Sequence, residues 1–82
     1  MLALLGTVGC HLCDDAERVL QQLSLVRPVS WQHIDIALDE TLCEQFAEHI
    51  PVLRLSTGDY VYWPFSVLDI ERALAFGITP AK

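Results

Sequence analysis

Two cysteines near the start of the chain, Cys10 and Cys13, are three positions apart, a spacing at which their thiols can bond to each other. They follow the apolar run 2–5 and precede a segment with helical periodicity, so Cys10 is expected in the turn that opens a helix. Backbone N–H groups and the helix dipole favour negative charge at a helix N-terminus, and therefore favour a thiolate there. The pattern predicts thiol–disulfide chemistry, with two electrons stored as a disulfide between the two sulfurs.

Two neighbouring side chains, His11 and Asp14, are expected to tune the pKa of Cys10 in opposite directions. The helix N-terminus favours the thiolate by about 0.3–2 kcal/mol. The Asp14 carboxylate, about 6 Å away, opposes it by roughly 0.7 kcal/mol in a water-like medium and by roughly 2.8 kcal/mol at an effective dielectric constant of about 20. A protonated His11 adds a cation beside the sulfur, and i,i+4 spacing allows it to pair with Asp15. We therefore expect the pKa of Cys10 to lie only modestly below that of a free thiol.

The composition indicates one small acidic domain. The chain has 82 residues, 52% of them apolar, and a net charge of −6. An acidic chain without a lysine or arginine cluster is not expected to bind nucleic acid or an anionic membrane surface. Three cysteines are too few for a disulfide-stapled scaffold, and no apolar stretch approaches the ~20 residues of a membrane span. No basic residue precedes Arg18, so a secretory signal is not expected and a cytoplasmic location is the default.

Hydrophobic periodicity predicts alternating strands and helices. The strands are expected at residues 2–5, 30–36, 52–55 and 60–63, and the helices at 10–25, 39–47 and 66–76. The two fully apolar strands belong at the centre of a sheet, and the two with polar positions belong at its edges. The opening strand–helix–strand unit should form a parallel pair. The chain is therefore expected to be an α/β protein, with a four-stranded mixed sheet covered by helices on both faces.

Capping residues and turn residues support these boundaries. Asp39 is expected to cap the second helix, and Ser66 with a carboxylate three residues later is expected to cap the third. Gly58 falls in a turn signal where positive φ is expected, and Gly77 with Pro80 is expected to end the last helix. The inward face of the second helix is expected to hold Leu42, Cys43, Phe46 and Ala47. Cys43 is therefore interpreted as a buried, inert thiol.

The cysteine pair after a first strand, together with Ile50-Pro51 ahead of the third strand, resembles the thioredoxin fold. The small size makes the chain similar to the glutaredoxin branch of that fold, over nearly its whole length. The resemblance implies that Cys10 is the nucleophile and Cys13 the resolving cysteine. It also implies that Pro51 follows a cis peptide bond and faces the disulfide, and that Ile50 offers its backbone to a substrate.

The chain departs from the usual glutaredoxin pattern at the positions that hold glutathione. His11-Leu12 replaces the usual Pro-Tyr between the cysteines, no lysine lies just upstream, and Pro64-Phe65 stands in the place of a Gly-Gly pair. Phe65, with Trp31 and Trp63, is a candidate for a substrate-binding face, and packing in the core is the alternative. The closest resemblance is to small bacterial glutaredoxin-like proteins.

Three functions remain open from the sequence. The first is a thiol–disulfide oxidoreductase acting on a disulfide-containing protein or a glutathione mixed disulfide, with glutathione or a thioredoxin reductase as reductant. The second is a dimer that binds an iron–sulfur cluster or metal through Cys10 and Cys13. The third is a non-catalytic adaptor with the same fold. No resident cofactor is expected beyond glutathione as a possible co-substrate. No intrachain zinc site is expected either, because there is no second cysteine or histidine pair at ligand spacing.

Overall fold

The apolar run at the start of the chain forms the strand β1 (Leu2–Gly6), all of whose residues are buried. The computed structural model of the protein describes residues 2–76. A loop containing Gly9, whose φ of +85° suits a residue without a side chain, leads to the helix α1 (His11–Ser24). One face of α1 carries the apolar positions and is buried, whereas the opposite face is charged. The apolar face of α1 therefore packs against the sheet, and its charged face is exposed to solvent.

The strand β2 (Trp31–Asp35) ends where the side chain of its last residue caps a short 3₁₀ turn (Ile36–Leu38). Asp35 Oδ1 accepts a hydrogen bond from the Ala37 N–H at 2.9 Å. The helix α2 (Glu40–Phe46) follows, and Asp39 caps it by accepting the Leu42 N–H at 3.1 Å. The predicted cap is thus confirmed, and the 3₁₀ turn explains why β2 is shorter than expected.

The strands β3 (Val52–Arg54) and β4 (Tyr60–Tyr62) form a hairpin, and the helix α3 (Val67–Phe76) closes the described part of the chain. Gly58 has a φ of +95° in the turn of the hairpin, as predicted. Ser66 and Asp69 form a reciprocal capping box with N···O distances of 2.9 and 3.2 Å. Gly77 and Pro80, expected to end α3, lie outside the described residues.

The sheet order β2-β1-β3-β4 confirms the predicted placement of central and edge strands. β1 and β2 are parallel, whereas β3 is antiparallel to both of its neighbours. Because β1 and β2 are parallel, their carboxyl ends lie at the same edge of the sheet, and this is the edge from which the cysteine loop departs. Within residues 2–76, no helix is both long enough and apolar enough to cross a bilayer.

Two hydrophobic clusters occupy the two faces of the sheet, so the prediction of helices on both faces is confirmed. The larger cluster joins β1 and β3 to α1 and α3 and contains Leu4, Leu20, Leu23, Leu53 and Ile70, among others. The smaller cluster, on the α2 face, contains Leu5, Ile36, Phe46 and Val52. Two predictions for the inward face of α2 are wrong: Ala47 follows the last helical residue and is exposed, and Cys43 is only half-buried.

Candidate active site

Cys10 is the N-cap residue of α1, as the position of the cysteine pair predicts. Its backbone is extended (φ −86°, ψ 108°), and its Sγ accepts a hydrogen bond from the Cys13 N–H at 3.1 Å. The Cys10 N–H in turn donates to the Thr7 carbonyl at 3.4 Å, which holds the loop against the helix start. A backbone N–H directed at a sulfur stabilises negative charge on it. The geometry therefore favours a thiolate at Cys10 in the reduced protein.

The two cysteines form a disulfide, and their Cα atoms are 5.2 Å apart. Cys10 is half-buried, whereas Cys13 is only 3% exposed because it is one helical turn further in, on the buried face of α1. A substrate sulfur can therefore approach Cys10 and cannot approach Cys13 without rearrangement. The bonded pair supports redox chemistry of thiols at this position.

Gly6, the last residue of β1, makes room for Cys13. A Cβ atom at Gly6 would lie 2.8 Å from Cys13 Sγ, closer than real Cβ atoms come, and 3.3 Å from Cys13 Cβ, a tight contact. The same position lies 3.8 Å from His33 Nε2. The predicted first strand stops one residue short of Gly6; in the structure Gly6 ends β1 and is a point of close contact between strand, helix and disulfide.

A cavity of about 260 Å³ opens beside the disulfide, between α1 and the end of β2. It is lined by the cysteine loop, the first turn of α1 and two polar residues of β2: Gly6, Thr7, Val8, Gly9, Cys10, Cys13, Asp14, His33 and Asp35. His33 pairs with Leu4 and Asp35 with Gly6 across the parallel ladder. Since Leu4 belongs to the larger cluster, this register turns both polar side chains toward the α1 face.

His33, which is exposed, and Asp35 both line this cavity, although the sequence did not mark either of them as a site residue. The signal available was the alternation of β2, which puts these two polar side chains on one face. Their distance from the cysteines depends on the register between β1 and β2, and this register cannot be read from the local sequence pattern. In the part of the chain described here, no group of three or more His, Cys, Asp or Glu side chains is placed to hold a metal ion.

The Ile50–Pro51 peptide bond is cis, and Pro51 is fully buried beside the sheet. Because Val52 pairs with Leu5, Pro51 lies next to the end of β1, on the flank opposite β2. Pro51 and Ile50 do not line the cavity. The Ile50 N–H already donates to the Phe46 carbonyl at 3.1 Å, so a substrate strand could bond Ile50 through its carbonyl group.

Phe65 does not lie on a substrate-binding face, contrary to the expectation. Its side chain is 4% exposed and belongs to the larger cluster, with its ring edge-on to Trp63 at a centroid distance of 5.0 Å. Trp31 and Trp63 are partly buried against the same cluster. The peptide bond before Pro64 is also cis, which the sequence did not suggest. Packing in the core, the alternative considered, is what the structure shows for Phe65, whereas Trp31 and Trp63 remain partly exposed.

His11 and Asp14, which are expected to tune Cys10, lie in the first turn of α1, and one of the expected side-chain pairings differs. Asp14 is exposed and lines the cavity, and His11 is exposed at the first position of α1. Asp15 forms its salt bridge with Arg18, with Nη1 and Oδ1 2.9 Å apart, rather than with His11. Of the arginines in residues 2–76, none lines the cavity. Carboxylates therefore dominate the charge beside the disulfide.

Residues 1–75 match the family model described as Glutaredoxin-like domain (DUF836). The chain belongs to this family. No curated protein matches the chain. The match spans the whole sheet and nearly all of α3, so the glutaredoxin-like thioredoxin fold implied by the resemblance is confirmed.

Solved structures of two bacterial proteins share the fold of this glutaredoxin-like chain. The X-ray structure of XcR50 from X. campestris has a TM-score of 0.80 and 31% identity, covering 90% of this chain and 95% of that one. Its solution structure gives a TM-score of 0.74 with the same identity and coverage of 98% and 97%. Protein Ne2328 from Nitrosomonas europaea, with a TM-score of 0.76, 24% identity and 85% coverage of each chain, is similar in fold.

Proposed function

We propose that this glutaredoxin-like protein is a thiol–disulfide oxidoreductase that works through Cys10 and Cys13. The observation that carries the proposal is the difference between the two sulfurs. Cys10 Sγ is accessible and accepts a backbone N–H at 3.1 Å, whereas Cys13 is 3% exposed. The thiolate is the nucleophile in disulfide exchange, so the stabilised, accessible sulfur is the attacking one and the buried sulfur resolves.

The proposed cycle transfers two electrons to the substrate. The Cys10 thiolate attacks one sulfur of the substrate disulfide, forms a mixed disulfide and releases the other substrate sulfur as a thiolate. The Cys13 sulfur then attacks Cys10 Sγ, forms the intramolecular disulfide seen in the structure, and releases the second substrate sulfur. The substrate disulfide is thereby reduced to two thiols while the dithiol is oxidised. An external thiol reductant restores the dithiol.

We propose a protein disulfide, rather than glutathione disulfide, as the substrate. Val8 and Leu12, on either side of Cys10, are 90% and 48% exposed, so the rim around the nucleophile is apolar. Asp14 and Asp35 line the cavity beside the disulfide, whereas none of the arginines in residues 2–76 lines it. Each half of glutathione disulfide carries two carboxylates and one ammonium group and is therefore negative overall. The two cavity carboxylates would repel it. An apolar segment of neutral or basic character fits this surface better.

The substrate chain is proposed to lie along the flank of the disulfide formed by Ile50 and Pro51. This flank is the amino end of β3, where the chain runs beside the last residues of β1. The Ile50 carbonyl can accept a backbone N–H from an extended segment, as in strand addition to a sheet. The site would then hold the substrate on one side of the sulfurs and keep the polar cavity on the other.

Three single cysteine variants test the proposed function. Reduction of insulin disulfides by dithiothreitol serves as the assay, and Cys43→Ser is the matched control because it removes a cysteine outside the disulfide. Cys10→Ser is expected to abolish activity. Cys13→Ser, reduced beforehand and mixed with insulin after dithiothreitol has been removed, is expected to accumulate a mixed disulfide that mass spectrometry detects. Cys43→Ser is expected to keep the wild-type rate. A Cys10→Ser protein with the wild-type rate would refute the proposal.

A further inference from the structure

We propose that His33 accepts the proton of Cys13 when that thiol resolves the mixed disulfide. This inference rests on the oxidoreductase function proposed above and adds to it a residue of β2, outside the helix that carries the resolving cysteine. A histidine close to a cysteine is one of the arrangements by which proteins activate a sulfur nucleophile.

His33, which is exposed, and Cys13 both approach the end of β1, where Gly6 has no side chain. Cys13 Sγ lies 2.8 Å and His33 Nε2 3.8 Å from the point that a Cβ of Gly6 would occupy, so both atoms lie within 4 Å of one position. Both residues also line the cavity of about 260 Å³, which has room for water. A proton can pass from the thiol to Nε2 through one water molecule, or after a small side-chain rotation.

Cys13 needs a proton acceptor more than Cys10 does. Cys13 is 3% exposed on the buried face of α1, and burial among apolar groups disfavours a thiolate. The backbone N–H that stabilises negative charge at the start of α1 is directed at Cys10 Sγ. The resolving sulfur must therefore lose its proton in less favourable surroundings, and an imidazole beside it lowers that cost.

The charged groups that face His33 are carboxylates. Asp35 lies two residues further along β2 on the same face, and Asp14 reaches the cavity from the first turn of α1. On β1, Leu4 pairs with His33 and Gly6 pairs with Asp35, and neither Leu4 nor Gly6 titrates. The Asp35 Oδ1 is fixed by the Ala37 N–H at 2.9 Å. The cavity that His33 lines therefore carries two carboxylates from two different elements.

The Cys13 S–H proton moves to His33 Nε2, and the thiolate electron pair forms the bond to Cys10 Sγ. The bond between Cys10 and the substrate sulfur breaks, and its electron pair leaves with that sulfur. The departing substrate thiolate takes up a proton from the imidazolium or from water, which returns His33 to its neutral form. Two electrons pass from the dithiol to the substrate, and no further reactant is needed.

Stopped-flow kinetics with 5,5′-dithiobis(2-nitrobenzoate) separates the two sulfur steps. The first coloured thiolate is released when Cys10 attacks, in a phase that depends on reagent concentration; the second is released when Cys13 resolves, in a phase that does not. All variants carry Cys43→Ser so that only the two site cysteines react. His33→Gln is compared with His33→Gln/Gln32→His, which has the wild-type composition and moves the imidazole to the opposite face of β2.

We expect His33→Gln to slow the second phase about tenfold at pH 7 while leaving the first phase unchanged. The difference should narrow as the pH rises above about 8.5, the pKa of a free thiol, because ionisation of Cys13 then needs less help. The double variant should be as slow as His33→Gln. An unchanged second phase at pH 7, or a deficit of equal size at every pH, would overturn the role of His33. A wild-type protein that shows no first phase would instead refute the oxidoreductase function itself.

Discussion

Substituting Gly6 by alanine should make the disulfide easier to reduce. The added Cβ would lie 2.8 Å from Cys13 Sγ and 3.3 Å from Cys13 Cβ. Overpacking of this kind costs typically about 1–3 kcal/mol. In the oxidised protein Sγ is held in place by its bond to Cys10, so the contact cannot be relieved by rotation. In the reduced protein the Cys13 side chain can turn away, so reduction should relieve a large part of the cost.

The expected shift follows from that difference. If reduction relieves between about 1 and 2 kcal/mol, the midpoint potential rises by roughly 20–45 mV, since about 30 mV corresponds to 1.4 kcal/mol for a two-electron couple. The gain of about 0.4–1 kcal/mol from restricting the unfolded chain is common to both forms and does not affect the potential. Thermal unfolding should show the same difference as a larger loss of Tm in the oxidised form than in the reduced form.

Equilibration in glutathione redox buffers, followed by alkylation and mass spectrometry, measures the potential. Gly58→Ala is the matched control, because Gly58 has a φ of +95° and a Cβ there would meet nothing within 4 Å. It should lower the stability of both forms equally and leave the potential unchanged. Equal destabilisation of both forms by Gly6→Ala, or a shift toward a more reducing potential, would show that the contact with Sγ is not maintained.

Three further predictions follow from other features. Asp14→Asn should raise the rate of Cys10 alkylation by iodoacetamide roughly threefold at pH 7, because removing a carboxylate about 6 Å away lowers the pKa of that thiol; an unchanged rate would exclude Asp14 as a tuning residue. Asp39→Ala removes the cap of α2 and should cost about 1 kcal/mol, lowering Tm by about 4–8 °C without changing the potential, and an unaltered Tm would contradict this. Cystamine, a cationic disulfide, should oxidise the dithiol faster than glutathione disulfide does, by a ratio that falls as salt is added; equal rates at low salt would argue against the charge-based substrate preference.

The sheet order could be predicted from the sequence because the burial of a strand determines which of its positions are apolar. A strand covered on both faces has no polar position, so the apolar run 2–5 predicts a central strand, and β1 does have a strand on each side. The caps at Asp39 and Ser66 were also predictable, since the side chain and the N–H groups it satisfies lie within three residues of each other.

The polar half of the site could not be predicted, because it depends on the register between two strands. Trp31, His33 and Asp35 share one face of β2, but only the pairing of Asp35 with Gly6 brings that face to the cysteines. The role of Phe65 was equally ambiguous, since an aromatic residue before a helix can pack inward or present a surface. Here it packs into the larger cluster, because α3 closes over that side of the sheet.

The start of α1 stabilises the thiolate of Cys10, but the same helix buries Cys13 and makes its thiolate harder to form. A thiol at the N-cap of α1 gains a backbone N–H, but a thiol three residues later, on the same helix, is carried onto the buried face. Stabilising the Cys10 thiolate therefore does nothing for Cys13, and moving Cys13 outward would break the geometry that allows the disulfide. The remaining means of helping Cys13 is a side chain from outside the helix, and β2 is the neighbouring strand whose carboxyl end reaches it. An edge strand tolerates polar residues on its inward face better than a central one, so a proton acceptor at this cavity is most readily supplied by β2.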